Sequence, residues 1–360
     1  MKKTYVCLFV SLILFSCSGK KKMEMDELSV YDSISVSIDY PILPHYVRLV
    51  PYCKDASIYA TGYNHYNHSI DFVNLSGGDN FIITLQKEGP DGVLPVQLFC
   101  FVGDKIVCRD GSGILTLAMD GSVMNRLPRK DLEMPAEQYS LGVKGLYNYR
   151  YLNSFDNKIL IPLLPITKSD SIHIGKMYDV LHDSLEFLPP YYPPEVVDNI
   201  QYLESLSVPD INMYGTDKIV YNFPFSSQVY LSDWKKLKTK VLDVQSGTID
   251  NKLDFEEWKD MGEVDRAVKE CYMSRFGRVY YSPLLEKYYR VHYGTKEKGS
   301  GKSRNMYLMV FDESGNYTKE YLLPLQFSEQ YFFGDNNLYF ACRSSNDNFF
   351  NIARISLDTL

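Results

Sequence analysis

Short runs of aliphatic and aromatic residues recur along the chain, and Gly, Asn or Asp separates each run from the next. β-Branched and aromatic residues favour strands, and these breakers favour tight turns, so the pattern predicts β-hairpins. The runs fall into six units. In chain order they are Ser57–Gly62, Ile70–Leu75 and Phe81–Gln86; Leu98–Val102, Lys105–Arg109, Gly113–Met119 and Ser122–Leu127; Arg150–Phe155, Lys158–Leu164 and Lys176–Leu181; Ile211–Tyr214, Lys218–Phe223, Gln228–Ser232 and Lys240–Val244; Tyr272–Phe276, Arg278–Tyr281, Lys287–Tyr293, Met306–Phe311 and Tyr317–Leu323; and Tyr331–Phe333, Leu338–Arg343 and Phe349–Ser356.

Equivalent turns are spaced by about 45 to 60 residues, a period typical of four-stranded propeller blades. We therefore predict an all-β protein, a β-propeller of six blades, with seven blades as the alternative and an array of β-sandwiches as the competing architecture. The strand-like stretch Leu28–Tyr40 precedes the first full unit. Because a propeller protects its sheet edges by closing the ring, we expect this stretch to complete the last blade.

One segment departs from the β pattern. In Asp250–Glu270, the apolar residues Trp258, Met261, Val264 and Val268 recur at three- and four-residue spacing. This periodicity predicts one amphipathic helix inserted near residues 250–270, with Asp250 as its N-cap. Gly262 is the residue in the segment that least favours a helix.

The first residues have the pattern of a bacterial lipoprotein signal. Lys2 and Lys3 precede an apolar run that is too short to span a membrane, and Leu14-Phe15-Ser16-Cys17 has the form of a lipobox. We predict a signal peptide over 1–16, a diacylglycerol attached at Cys17, a flexible tether over 17–27 and the propeller domain over 28–360. The predicted location is the cell envelope, more readily at the outer than at the inner membrane, with the periplasmic or surface face left open.

The net charge argues against one class of partner, and the cysteines limit the possible disulfides and metal sites. Removal of 1–16 leaves 36 basic and 45 acidic residues, a net charge of −9 that argues against a nucleic-acid partner. Five cysteines remain after Cys17, an odd number that excludes complete pairing, and Cys100 with Cys108 is the one pair left open. We expect no cofactor, and no Cys/His cluster has the spacing of a zinc site.

Several motifs together resemble a known family. Their order along the chain is the lipobox, Ile70–Val73, Lys87–Gly92, Asn222–Tyr230, the predicted helix and Lys287–Arg290. This order resembles the Bacteroidetes lipoprotein family called domain of unknown function 4221, which is similar in turn to six-bladed propeller lipoproteins. The resemblance covers essentially the whole mature chain and implies a fold without implying an activity.

Three places in the sequence are candidates for ligand contact. His65 and His68 lie in a polar-aromatic cluster near Asp71, where they could form a binding rim, share a metal or only stabilise a loop. Tyr191 and Tyr192 follow two prolines and could present rigid rings to a sugar or a peptide, or pack internally. Arg290 either contacts a ligand in the channel, lies over an aromatic ring, or pairs with an acid between blades.

Two functions remain for the domain. The first is a non-enzymatic binding or scaffold module in the envelope for a protein, a peptide or a glycan. The second is an envelope glycan hydrolase or lyase that uses carboxylates at the mouth of the channel. A pair of carboxylates about 5 to 10 Å apart in one pocket would favour the enzyme, whereas a mouth without such a pair would favour binding.

Overall fold

The computed structural model describes residues 25–39, 41–43, 46–136, 138–140, 152–169, 171–297, 304–315, 318–343 and 346–360. The predicted signal peptide, Cys17 and Tyr40 therefore lie outside the described residues.

Six sheets, five of four strands and one of five, follow one another around a ring, as expected for a six-bladed propeller. Two strands, β1 (Met25–Glu27) and β2 (Asp32–Ser37), precede the first blade. The first blade contains β3 (Val50–Lys54), β4 (Ser57–Asn64), β5 (Ser69–Asn74) and β6 (Phe81–Thr84), and the second contains β7 (Leu98–Val102), β8 (Lys105–Arg109), β9 (Gly113–Ala118) and β10 (Val123–Pro128). The third contains β12 (Asn153–Phe155), β13 (Lys158–Pro162), β15 (Gly175–Asp179) and β16 (Ser184–Phe187). Two further short strands, β11 (Tyr139–Ser140) and β14 (Leu164–Pro165), pair with each other.

The remaining blades follow the same order from the centre outwards. They contain β17 (Asp210–Met213), β18 (Lys218–Asn222), β19 (Gln228–Asp233) and β20 (Lys238–Asp243); β21 (Arg275–Ser282), β22 (Lys287–Tyr293), β23 (Met306–Phe311) and β24 (Thr318–Leu322); and β25 (Phe327–Gly334), β26 (Asn337–Cys342) and β27 (Phe349–Ser356). The helices are α1 (Arg129–Leu132), α2 (Pro194–Leu203), α3 (Phe255–Asp260) and α4 (Glu263–Tyr272), with 3₁₀ turns at Glu204–Ser207 and Leu357–Thr359.

The N-terminal stretch closes the ring, which confirms the prediction for Leu28–Tyr40. β2 pairs antiparallel with β27 over its whole length and becomes the outer strand of the sixth blade. β1 adds a fifth, parallel strand to the outer edge of the fifth blade, beside β24. The tether predicted over 17–27 is therefore corrected at Met25–Glu27, because these residues pair with a strand.

The hydrophobic core lies between neighbouring blades, and the described residues form five clusters of buried side chains. One cluster joins the last blade to the first: Phe332 and Ile352 pack with Ala60 and Val73. Apolar residues on both faces of the inner strands supply these contacts, as expected for sheets that are covered on both sides. The core therefore stabilises the ring as one unit.

The inserted helix differs from its prediction. The segment forms two short helices, α3 and α4, which are separated at Met261 and Gly262, and Gly262 is the N-cap of α4. Asp254, and not Asp250, caps α3 through hydrogen bonds from the backbone of Glu256 and Glu257. Val264 is 77% exposed, so the predicted apolar stripe ends after α3.

Trp258 anchors this insertion to another helix that the sequence analysis did not predict. Its indole is buried and donates to the carbonyl oxygen of Tyr202, in α2, at 2.8 Å. The buried residues of α2 are Val196, Val197, Asn199, Ile200 and Leu203. The prediction of a single inserted helix is therefore wrong, since four helices occur in the described part of the chain.

Cys100 and Cys108, whose pairing the sequence left open, do not form a disulfide. Cys100 pairs with Val107 across the β7–β8 hairpin, and Cys108 pairs with Phe99. Paired residues share one face of a sheet and adjacent residues do not, so the two thiols point to opposite faces. All five cysteines in the described residues are free.

Candidate functional site

The two ends of the ring are built differently. In every blade a short turn joins the innermost strand to the second strand at one end, which we call the turn face. The connections between blades lie at the opposite end, which we call the loop face, and they hold α1, α2, α3 and α4. Long connections on a rigid scaffold are where binding residues are most often found, so a binding site is expected on the loop face.

A cleft of about 420 Å³ opens on the loop face between the first and second blades. We call it the mouth cleft. Its apolar lining residues are Val47, Val50, Pro95, Val96, Leu98 and Phe99, and its polar ones are Arg48, Tyr63, His65 and Gln97. An apolar cavity with a few polar groups is the usual form of a ligand pocket.

Two connections form the walls of the mouth cleft, and Arg48 links them. Its Nη1 donates to the carbonyl oxygen of Gln97 at 2.5 Å, which joins the connection before β3 to the connection before β7. The Gln97 amide donates in turn to the carbonyl oxygen of Arg109, in β8. The walls are therefore attached to the first two blades.

The two predicted histidines, His65 and His68, have different surroundings beside the mouth cleft. Asn64 Oδ1 accepts from the amides of Tyr66 and Asn67, each at 3.2 Å, and so closes a tight turn. His65 stays exposed on this turn and lines the mouth cleft, as the rim prediction requires. His68 is buried, with its Nδ1 2.7 Å from the hydroxyl of Tyr63.

Asp71, which is close to both histidines in the sequence, does not orient either of them. Its carboxylate is fully buried and accepts hydrogen bonds from Tyr46, Asn64, Ser69 and the amide of Leu43. Burial, together with the charge of this carboxylate, raises the pKa of Tyr46 far above its usual value. Asp71 thus holds the connection before β3 against the first blade, behind the cleft.

Tyr191 and Tyr192 also have different surroundings. Tyr191 is 50% exposed, and its ring lies 4.6 Å from the ring of His173, which stacks on Phe187 at 4.8 Å. Tyr192 is buried and donates to the carbonyl oxygen of Leu163. One of the two predicted rings is therefore available to solvent, beside the third blade and not in the mouth cleft.

Arg290 is fully buried between the fourth and fifth blades. Its guanidinium lies 4.1 Å from the ring centroid of Phe276 and donates to the carbonyl oxygens of Ser227 and Val244. Burial lowers the pKa of Arg290 to about 9, while the carboxylates of Glu320 and Asp243 act in the opposite direction. The predicted ligand contact of Arg290 is wrong, because β22 is not a channel-lining strand, and the alternative of a ring contact between blades is confirmed.

The innermost strands of all six blades enclose a central channel with a cavity of about 190 Å³. Its lining residues are Leu49, Val50, Pro51, Cys100, Phe101, Leu152, Asn153, Ser154, Asn212, Arg278, Tyr280 and Phe333. Val50 lines both this cavity and the mouth cleft. Among the described lining residues the arginine is Arg278, which was not among the candidates from the sequence. In the sequence, Gly277 before it is the residue that interrupts the strand pattern.

Comparison with known proteins assigns the family. The model of the family described as "Domain of unknown function (DUF4221)" matches residues 13–322. The chain is a DUF4221 protein. The predicted resemblance is thereby confirmed, as is the six-bladed fold.

A crystal structure of another DUF4221 member, from Bacteroides vulgatus ATCC 8482, is similar to this one. It has a TM-score of 0.66 and 14% sequence identity, over 90% of this chain and 96% of that chain. U3-55K and the WD40 repeats of RRP9 each have a TM-score of 0.46 over 92% of this chain, with 10% and 11% identity and 100% and 99% of their own chains covered. No curated protein matches the DUF4221 chain in sequence.

Two features are absent from the described residues of this DUF4221 protein. No group of three or more His, Cys, Asp and Glu side chains is arranged to hold a metal ion. No helix in the described part is long and apolar enough to cross a bilayer.

Proposed function

We propose that this DUF4221 protein is a binding or scaffold module of the cell envelope, and that the mouth cleft receives an apolar group of a protein or peptide partner. The observation that carries the proposal is the apolar lining of the 420 Å³ cleft on the elaborated face of the ring. Val47, at its rim, is 74% exposed. Exposed apolar surface next to a cleft is typical of an interaction site. A glycan that stacks on Tyr63 or His65 is the alternative occupant.

The same lining supports binding over glycan hydrolysis. Among the described residues, neither the lining of the mouth cleft nor that of the channel cavity includes an aspartate or a glutamate. Glycoside hydrolysis ordinarily needs two carboxylates that face the substrate. The enzyme alternative therefore finds no support in these two cavities.

A charge placed at the rim tests the proposal. Val47→Glu should remove the partner without unfolding the domain, because the side chain is mostly in water and a carboxylate opposes apolar docking. Leu284→Glu is the matched control, since Leu284 is 75% exposed at a turn on the opposite face. The measurement is chemical crosslinking of tagged protein in its native envelope, followed by mass spectrometry of the retained molecules.

The expected result is a partner retained by the wild type and by Leu284→Glu, and lost from Val47→Glu. Equal retention by both variants, with unchanged thermal unfolding, would show that the mouth cleft is not the binding site. A protein recovered alone in all three cases would oppose a stable protein partner, and would turn the test to glycan binding.

We also propose that Cys17 carries a diacylglycerol and anchors the domain to membrane lipid, more readily at the outer than at the inner membrane. The lipobox supports this proposal. Seven residues separate Cys17 from Met25, the first residue of β1, and such a segment spans at most about 30 Å. The outer edge of the fifth blade would then stay close to the bilayer.

Replacement of Cys17 tests the anchor. Cys17→Ala should move the protein from the membrane fraction to the soluble fraction, because no thiol remains for the lipid. The measurement is fractionation followed by immunoblotting, with Cys53→Ala, at an exposed free cysteine of the first blade, as the control. Persistent membrane association of Cys17→Ala would exclude the lipid anchor.

A further inference from the structure

The helix α4 carries its apolar residues on the outside. Four of them have the i, i+3, i+4 and i+7 spacing that places side chains on one face of a helix, and we call them the α4 stripe: Val264, Ala267, Val268 and Cys271. Val264 is 77% and Val268 is 39% exposed, and Ala267 is also exposed. A surface helix normally directs such a stripe toward the core, so α4 has the reverse orientation.

Charged side chains, and not apolar ones, attach α4 to the helices beside it. Arg266 lies 5.6 Å from the ring centroid of Tyr202, in α2, and donates to the carbonyl oxygen of Met261 at 2.6 Å. Lys269 donates to Glu257, in α3, at 2.6 Å. No residue of α4 is buried, and none belongs to a hydrophobic cluster of the described residues. The α4 stripe therefore has no part in the packing of the propeller.

The C-terminal end of α4 is fixed by hydrogen bonds from the fifth blade. Arg304, just before β23, donates to the carbonyl oxygen of Cys271 at 2.8 Å and to that of Met273 at 3.2 Å. The amide of Lys296 donates to the carbonyl oxygen of Tyr272 at 2.7 Å. A helix of this length is marginally stable alone, so these contacts hold the α4 stripe in place as a preformed surface.

Acidic residues border the α4 stripe. Glu263 and Asp265 are exposed, and at 3.6 residues per turn they lie on opposite sides of it. The bases of α4, Arg266 and Lys269, have their partners in α2 and α3. The segment Phe255–Tyr272 holds six acidic and three basic residues, a net charge of −3. This charge opposes a second copy of the same surface, and it opposes the anionic headgroups of a bilayer.

We propose that the α4 stripe docks a basic amphipathic helix of a protein partner, with Lys or Arg of that helix against Glu263 and Asp265. Apolar anchors at i, i+3, i+4 and i+7 are the usual means by which helices recognise each other. Opposite charges beside the anchors select the partner and its orientation. The stripe is about 10 Å long, so it contacts about two turns of the partner helix.

Fluorescence anisotropy with a labelled synthetic peptide tests this surface. The host is the mature chain with Cys17→Ala, so that no lipid is attached. The probe is a peptide of about four helical turns, with leucines at i, i+3, i+4 and i+7 spacing and lysines elsewhere. One control peptide has glutamates in place of the lysines, and the other has the same composition with the leucines spread around the helix. The host should bind the probe and neither control.

Variants of α4 assign the binding to the stripe. Val264→Gln together with Val268→Gln should weaken binding by about tenfold or more, and should keep the helix, because Gln favours helices at least as well as Val. Leu284→Gln, at a 75% exposed position on the turn face, should leave binding unchanged. Glu263→Gln together with Asp265→Asn should weaken binding by about threefold or more and reduce its salt dependence.

Several results would overturn the proposal. The folded host could fail to bind the basic peptide, or the double Gln variant could bind it as tightly as the host. A dimer, or binding to phosphatidylglycerol vesicles, that the double Gln variant abolishes would also overturn it, since the stripe would then have another occupant. The inference goes beyond the mouth cleft, and the two proposals fail separately: Val47→Glu should bind the peptide as tightly as the host.

Discussion

Arg278 and Arg290 belong to the same hairpin of the fifth blade, yet their charges have different surroundings. Arg290 lies on β22, is fully buried, and has the carbonyl oxygens of Ser227 and Val244 as partners. Arg278 lies in β21, where the register against β22 shifts between Phe276 and Val279, and it lines the channel. A buried cation costs solvation energy, so its hydrogen bonds have to compensate for that cost. Arg290 therefore acts in the packing of two blades, whereas Arg278 lines the channel.

At the scale of single residues, removal of the buried charge of Arg290 should destabilise the fold. Arg290→Met fills a similar volume but leaves two buried carbonyl oxygens of the fourth blade without their donor. We expect the free energy of unfolding to fall by about 3 kcal/mol. The measurement is urea denaturation followed by tryptophan fluorescence, since Trp258 is buried in the adjoining core.

Arg129→Met is the control for this prediction. Its pair with Glu133 is partly exposed to solvent, so the loss should be at most about 1 kcal/mol. If both variants lost the same small amount, the bridge between the blades would contribute nothing specific to stability.

At the scale of elements, β2 has more influence than its six residues suggest. It pairs with β27 along its whole length, and Ile34 and Val36 pack against the cluster that joins the sixth blade to the first. β1, in contrast, has three exposed residues and adds only an outer parallel strand. Ring closure therefore depends on β2.

Two truncations separate these strands. A chain that starts at Leu28 loses β1 and should keep a melting temperature within a few degrees of the wild type. A chain that starts at Pro41 also loses β2, exposes the edge of β27, and should melt at least about 10 °C lower and aggregate. Calorimetry and light scattering measure both effects. Equal melting of the two chains would mean that β2 does not close the ring.

The helices show where local pattern is a weak guide. α2 follows two prolines and buries Val196, Ile200 and Leu203, which have helical spacing within a segment that the prolines made look like a simple connection. In the segment after β20, the apolar spacing continues across Gly262, but α3 ends before this residue and α4 begins after it. In this segment an apolar residue is buried where it packs against α2, which is distant in the sequence. Trp258 contacts α2, whereas Val264 is exposed.

At the scale of the whole molecule, the ring has one plain face and one elaborated face. Short turns occupy the turn face, whereas the helices and the mouth cleft occupy the loop face, near the opening of the channel. This asymmetry places the proposed partner site at one end of the ring. If Cys17 is lipidated, the short segment before β1 would hold the outer edge of the fifth blade near the membrane.

Particular residues show how far sequence reasoning reached. Several strands, such as Leu98–Val102 and Lys287–Tyr293, were predicted with their observed bounds. Of the candidate ligand residues, His65 lines a cleft and Tyr191 is exposed, but His68, Tyr192 and Arg290 are buried. Gly277, which interrupts a strand pattern, lies where the register of β21 against β22 shifts.

The sequence by itself determined the strand period, the propeller class, the closing role of the N-terminal stretch and the family. These are local or repeating features, because alternation and turn residues act between near neighbours. Only the tertiary structure decided which histidine and which arginine reach a cavity, that Cys100 and Cys108 point apart, and that one predicted helix is two. These outcomes depend on the face, the register and the packing partner of each residue, which are contacts between distant parts of the chain.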